Sequence, residues 1–161
     1  CCVPSDYELR SFRLRPATLQ ILEVVRDAKK IAPDLSIMAT PWSPPSWLKV
    51  GRTLVGGDDT NTLVDSDAAF GAYASYLRRY VGACREQGVE LDYIGLQNEP
   101  LEGKLKYPAM YFSVEQASKL GKLVKERLGD SPKLLAYEHN WDEQEDDHYP
   151  QDVLQEAPGV F

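Results

Sequence analysis

Three short apolar runs, at residues 35–40, 91–96 and 133–137, alternate with three segments of helical periodicity. No other feature constrains the fold as tightly. The first helical segment opens at Pro16, whose fixed φ suits a first turn. Leu19, Leu22, Val25, Ala28 and Ile31 then recur at helical spacing, with Ile21 and Val24 widening the stripe. Lys29 and Lys30 favour the negative end of the helix dipole, and Pro33-Asp34 stops the helix. The second runs from about Asp67 to Gln87 on Phe70, Tyr73, Ala74, Leu77, Val81 and Cys84. Asp65 or Ser66 can cap it and Gly88 can end it. The third, 114–128, buries Ala117, Leu120, Leu123, Val124 and Leu128. Ser113 offers its cap, Gln116 the return half of a capping box, and Gly129 the stop. A short helix is expected near 150–157.

Strands separated by helices imply a parallel sheet with right-handed crossovers. The loops ahead of the strands are short and bland. Those after them (41–66, 97–112, 138–149) are rich in Trp, Asn, Glu, His and Tyr. Elaboration on one face only is the pattern of a (β/α) barrel, where ligands bind at the carboxyl ends of the strands. The fold expected for residues 1–161 is therefore α/β, a partial (β/α)8 TIM barrel in one domain, with parallel strands and about three βα units.

A net charge of −7, from 25 acidic and 18 basic residues, argues against a nucleic-acid partner or an anionic membrane surface. No apolar run approaches the roughly 20 residues that span a bilayer. No signal peptide is visible. The chain opens Cys1-Cys2-Val3, so it reads as starting mid-protein or after a lost leader. Its 3 cysteines make no disulfide framework, and Cys84, on an inner helical face, reads as a small buried hydrophobe. His139 and His148 lack the spacing of a zinc site, so no metal is expected. The acidic run 143–147 reads as a solvated loop.

Three strand-end constellations could carry chemistry. Gly95-Leu96-Gln97-Asn98-Glu99-Pro100 puts an amide and a carboxyl at the rim of the sheet, beside a Pro that ends regular structure. Glu99 there can protonate a leaving oxygen and then activate water, and Asn98 can bond a substrate hydroxyl. Pro41-Trp42-Ser43-Pro44-Pro45-Ser46-Trp47-Leu48-Lys49 braces two indoles with three prolines. An indole offers a flat apolar face to a sugar ring and one N–H donor. Trp42, at the strand end, is expected in the pocket; Trp47 lies deeper in the loop. Tyr137-Glu138-His139-Asn140-Trp141 ends the third strand. His139 fits either a cleft lining or a structural hydrogen bond, and Glu138 is a possible second carboxyl. No GxSxG elbow, phosphate loop or GxGxxG is present, which sets aside serine hydrolases, ATPases and Rossmann enzymes.

These motifs, in order and spacing, resemble glycoside hydrolase family 30, the glucosylceramidase-like retaining β-glycosidases. Ala39 to Lys49, Gly95 to Pro100 and Ala136 to Asp142 carry the resemblance. The segment Asp6-Tyr7-Glu8-Leu9-Arg10-Ser11-Phe12 is similar to the family's stretch ahead of barrel strand three. The family fold is a (β/α)8 barrel with an appended β-sandwich, and this chain would cover barrel strands three to five.

The resemblance implies that Glu99 is the acid/base and that Asn98 meets the sugar's 2-hydroxyl. It implies that Trp42 contacts the innermost sugar and that His139 and Asn140 lie near the cleft. The implied substrate is a β-linked carbohydrate or glycolipid, with no cofactor. The parent protein would be extracellular, by resemblance.

Retaining hydrolysis uses two carboxyls about 5–5.5 Å apart. The family's nucleophile, a second Glu after strand seven, is expected outside this chain, so the isolated chain is expected to be inactive. Free strand edges would favour self-association. Two rival readings are a catalytically silent carbohydrate-binding remnant and a small α/β domain whose strand-end motifs are structural.

Overall fold

The computed structural model describes residues 3–139 and 148–161. Helix α1 (Pro16–Ile31) leads into β1 (Met38–Ala39), a single 3-10 turn at Ser46–Leu48 and helix α2 (Asp67–Glu86). Strand β2 (Tyr93–Gly95), helix α3 (Val114–Leu128), strand β3 (Lys133–Leu135) and helix α4 (Tyr149–Glu156) complete the order. The strands lie side by side in chain order, and both pairings are parallel. Ala39 faces Ile94, and Ile94 in turn faces Leu134.

The helix ends form where the local chemistry places them. Ser66 caps α2 by accepting from the Ala69 N–H at 3.2 Å, and Ser113 caps α3 from the Gln116 N–H at 3.3 Å. The expected return half of the second cap is absent. The Gln116 amide instead donates to the Leu63 carbonyl at 3.2 Å, tying α3 to the long loop. Gly88 and Gly129 follow α2 and α3 with φ of 77° and 71°, a backbone state that glycine adopts without steric cost.

The strands are shorter than the apolar runs. The Ile37 N–H is taken by the Asp92 carboxylate at 2.7 Å, so a side chain interrupts the ladder before Met38. The core lies between sheet and helices. Phe70, Tyr73, Leu77, Val81 and Cys84 of α2 pack with Ile94, Leu96, Leu120, Val124 and Leu134, and with Val153 of α4. Cys84 is buried and reduced, as its helical position implied, and burial pushes its thiol pKa up. Cys1 and Cys2 lie outside the described residues.

Helix α1 departs from expectation in its packing, not in its existence. Of its apolar stripe only Leu22 is buried, while Ile21 is 62%, Val24 69% and Ile31 87% exposed. Periodicity made the helix, but no described element covers that face. Among the described residues, no helix is long and apolar enough to cross a membrane.

Candidate active site

Beyond Gly95 the chain leaves regular strand geometry but keeps its neighbours. The Asn98 N–H donates to the Pro41 carbonyl at 2.9 Å, and the Glu99 N–H donates to the Glu138 carbonyl at 2.9 Å. The two bonds run in opposite directions, one to the loop after β1 and one to the segment after β3. The three strand-end constellations therefore meet at Asn98 and Glu99. Gln97, only 3% exposed, adds a third tie, its Nε2 donating to the Trp42 carbonyl at 2.8 Å.

Glu99 has φ 44°, in the left-handed region. A side chain there costs roughly 1–2 kcal/mol, and such residues concentrate at functional sites. The bond to Glu138 and the turn closed by the Glu102 N–H on the Glu99 carbonyl (2.9 Å) hold the backbone in this state.

Below this level, on the same face, the Thr40 hydroxyl donates to a carboxylate oxygen of Glu138. The contact crosses directly over Gly95. A β-carbon at position 95 would stand 2.8 Å from Glu138 Oε2 and 2.9 Å from Thr40 Oγ1. Glycine is thus the residue that lets a hydroxyl from the first strand end reach a carboxylate from the third across the middle strand.

Trp42 projects at the rim, 51% exposed, with its ring 5.5 Å from that of Tyr107 at an interplanar angle of 52°. Trp47 turns away from the rim. It is half-buried and meets Tyr7 edge-on at 5.1 Å. His139 follows Glu138 as a half-buried residue, its ring 6.0 Å from Tyr137. Asn140, Trp141 and the acidic run 143–147 lie outside the described residues. Among the described residues no cluster of three or more potential metal ligands occurs.

The structure thus links the backbones of Asn98 and Glu99 to the loops bearing Trp42 and His139. It adds Thr40, Gln97 and Tyr107, which sequence reasoning did not single out. Gln97 had a usable signal, a polar residue just past a buried strand. Tyr107 had none, because its place depends on pairing between two loops far apart in sequence.

The sequence profile of the Glycosyl hydrolase family 30 TIM-barrel domain matches residues 2–141. An endo-1,6-beta-D-glucanase of Neurospora crassa is 31% identical over 163 residues, covering 96% of this chain and 32% of that protein. The lysosomal acid glucosylceramidase of Mus musculus is 28% identical over 103 residues, covering 62% of this chain and 20% of that protein. Among solved structures, SrfJ from Salmonella typhimurium superposes with a TM-score of 0.78 at 22% identity, covering 95% of this chain and 36% of that one. The endo-beta1,6-glucanase BT3312 does so with a TM-score of 0.75 at 22% identity, covering 98% and 36%. These structures share the fold, of which the three parallel strands are a part. The chain spans about a third of the length of the first of these relatives (32%). With its profile match running over nearly the whole chain, and its strand order and helices those of a partial TIM barrel, the chain belongs to glycosyl hydrolase family 30.

Proposed function

We propose that this chain carries the acid/base half of a retaining β-glycosidase site. Glu99 gives its proton to the glycosidic oxygen as the bond breaks. In the second step it takes a proton from the water that releases the sugar. Asn98 bonds a sugar hydroxyl, Trp42 offers its indole to the ring, and His139 lines the cleft. The observation that carries this reading is the convergence of all three strand-end segments on Asn98 and Glu99, with Glu99 held at φ 44°. A carboxyl-bearing residue whose backbone is held in a rare conformation, at the ligand-binding end of a parallel sheet, supports its assignment as the positioned proton donor.

The attacking carboxylate is a separate matter. Glu138 is a second carboxyl at this rim, and its oxygen is engaged by Thr40. We assign the nucleophile to the part of the family's domain that this chain does not span.

For the substrate we favour a β-1,6-linked glucan. The relatives named endo-1,6-beta-D-glucanase are 31% identical and cover 93–96% of the chain. A glucosylceramide-type glycolipid is the second reading, supported by the glucosylceramidase relative at lower coverage.

The test is reducing-sugar release from β-1,6-glucan by this chain together with the remainder of the family's domain, which supplies the second carboxyl, with a glucosylated ceramide in parallel. Glu99→Gln should lower turnover by about 10²–10⁴-fold with little change in KM. An aryl glycoside whose leaving group needs no proton should recover the bond-breaking step. Sugar binding without turnover, unchanged by Glu99→Gln, would favour a carbohydrate-binding remnant. Neither binding nor turnover would end the proposal.

A further inference from the structure

The loop that carries Glu99 and the loop after β1 are joined by a short antiparallel ladder. The Gly56 N–H donates to the Tyr107 carbonyl (3.2 Å), the Gly57 N–H to Leu105 (3.1 Å) and the Ala109 N–H to Leu54 (3.2 Å). Val55 and Pro108 face each other as a bridge. A β-carbon at position 56 would stand 2.2 Å from the Gly103 carbonyl oxygen, so the backbones approach as closely as glycine allows.

Beneath this ladder lies Lys49, with no exposed surface. Its Nζ donates to the carbonyls of Leu54 (3.1 Å), Val55 (3.2 Å) and Ala109 (2.6 Å). An ammonium has three protons and no acceptor, and here three carbonyls from two loops receive them. Among the described residues it meets no carboxylate. Burial without a counter-ion disfavours the charged form and lowers its pKa to about 8. Burying such a group costs desolvation, which its three hydrogen bonds offset only in part. What lysine adds is direction.

Two of the carbonyls have other donors. Leu54 also accepts from Ala109, and Val55 accepts from Asn61 Nδ2 at 2.8 Å. The Ala109 carbonyl relies on Lys49. Gln97 at Trp42 and Lys104 at Asp59 (3.1 Å) also tie the 97–112 loop to the 41–66 loop, but the ammonium does so from a fully buried position two residues from Tyr107, whose ring lies 5.5 Å from Trp42.

We propose that Lys49 is a positioning residue, whose buried ammonium clasps both rim loops and so holds the Tyr107 ring against Trp42. That this ring pair forms a sugar-facing wall rests on the glycosidase reading. The clasp itself does not.

The test compares Lys49→Met and Lys49→Gln in the full chain. Trp42→Phe and Tyr107→Leu identify the near-ultraviolet circular dichroism of the ring pair. Lys49→Met should lose more than half of that signal. It should speed amide exchange at Gly56, Gly57 and Ala109 at least tenfold, and leave the amides of α2 and α3 within twofold. Lys49→Gln, which keeps two protons to donate, should fall between and covers the case in which the Met variant fails to fold.

A signal that survives Lys49→Met, or one already insensitive to Tyr107→Leu, overturns the proposal. So does equal acceleration of exchange throughout the core, or collapse of both variants, since each marks a role in stability alone. In a final arm, a β-1,6-linked glucose disaccharide is titrated against tryptophan fluorescence. Its dissociation constant should rise about three- to tenfold in Lys49→Met. If the unaltered protein binds no sugar, the glycosidase reading fails, while the dichroism and exchange still decide the clasp.

Discussion

The backbone N–H of Glu99 donates to the carbonyl of Glu138 at 2.9 Å, while Glu99 itself sits at φ 44°. One carboxyl-bearing residue is thus held in a costly conformation by the main chain of another. Relieving that conformation should separate stability from chemistry. Glu99→Gly is expected to raise unfolding free energy by about 0.5–1 kcal/mol, the left-handed penalty removed less the added freedom of the unfolded chain. Turnover should fall as in Glu99→Gln. Urea midpoints measure the first effect, and a fall in stability of similar size would show that the Glu99 side chain packs instead of straining.

Gly95 should tolerate no side chain. Gly95→Ala places a methyl 2.8 Å from Glu138 Oε2 and 2.9 Å from Thr40 Oγ1, so their hydrogen bond must open. A loss of about 1–3 kcal/mol is expected. Gly82, within α2 with open space around its Cα, is the control. Alanine there should stabilise by up to about 1 kcal/mol. Equal denaturation midpoints for the two variants would contradict the steric account.

Alkaline pH should weaken the fold through its buried phenols. Burial raises the pKa values of Tyr73, Tyr80 and Tyr149 above the usual tyrosine range. The native state therefore keeps these protons at pH values where the unfolded chain gives them up. Stability is fully present below about pH 10 and falls above it. Tyr73→Phe removes a hydrogen bond to the Leu96 carbonyl (3.3 Å), at a cost of about 1 kcal/mol near neutrality. It should also flatten the decline above pH 10 when denaturant midpoints are followed against pH. An unchanged slope would mean that Tyr73 does not contribute to it.

The bare face of α1 should govern association of the isolated chain. Ile21, Val24 and Ile31 present apolar surface to solvent, and the outer edges of β1 and β3 have no strand partner among the described residues. Such surfaces recruit copies of the chain. Sedimentation of the isolated chain should show concentration-dependent association, and Ile21→Lys with Val24→Lys should shift it toward monomer. Association indifferent to both changes would place the contact at the strand edges instead.

Much of this architecture was readable from residue order. Helical spacing and the side chains of Ser66 and Ser113 set α2 and α3, and apolar runs between breakers located all three strands. The stripe on α1 gave the helix but not its surroundings, because periodicity reports an apolar face and not what lies against it. Strand length escaped for a similar reason, since the Asp92 carboxylate intervenes at Ile37 from 55 positions away. At the rim, the strand-end location of Asn98, Glu99 and Trp42 followed from the pattern. The roles of Thr40, Gly95 and Tyr107 depend on distances between separate segments, which local sequence does not encode.

The ladder joining residues 54–57 to 105–109 has an evolutionary corollary. Loops that pair cannot drift independently: an insertion in one would shift the register of the other and carry Tyr107 away from Trp42. Variation around this rim in related proteins should therefore come as matched changes of length in both loops, making the pair a single heritable unit in any diversification of ligand preference.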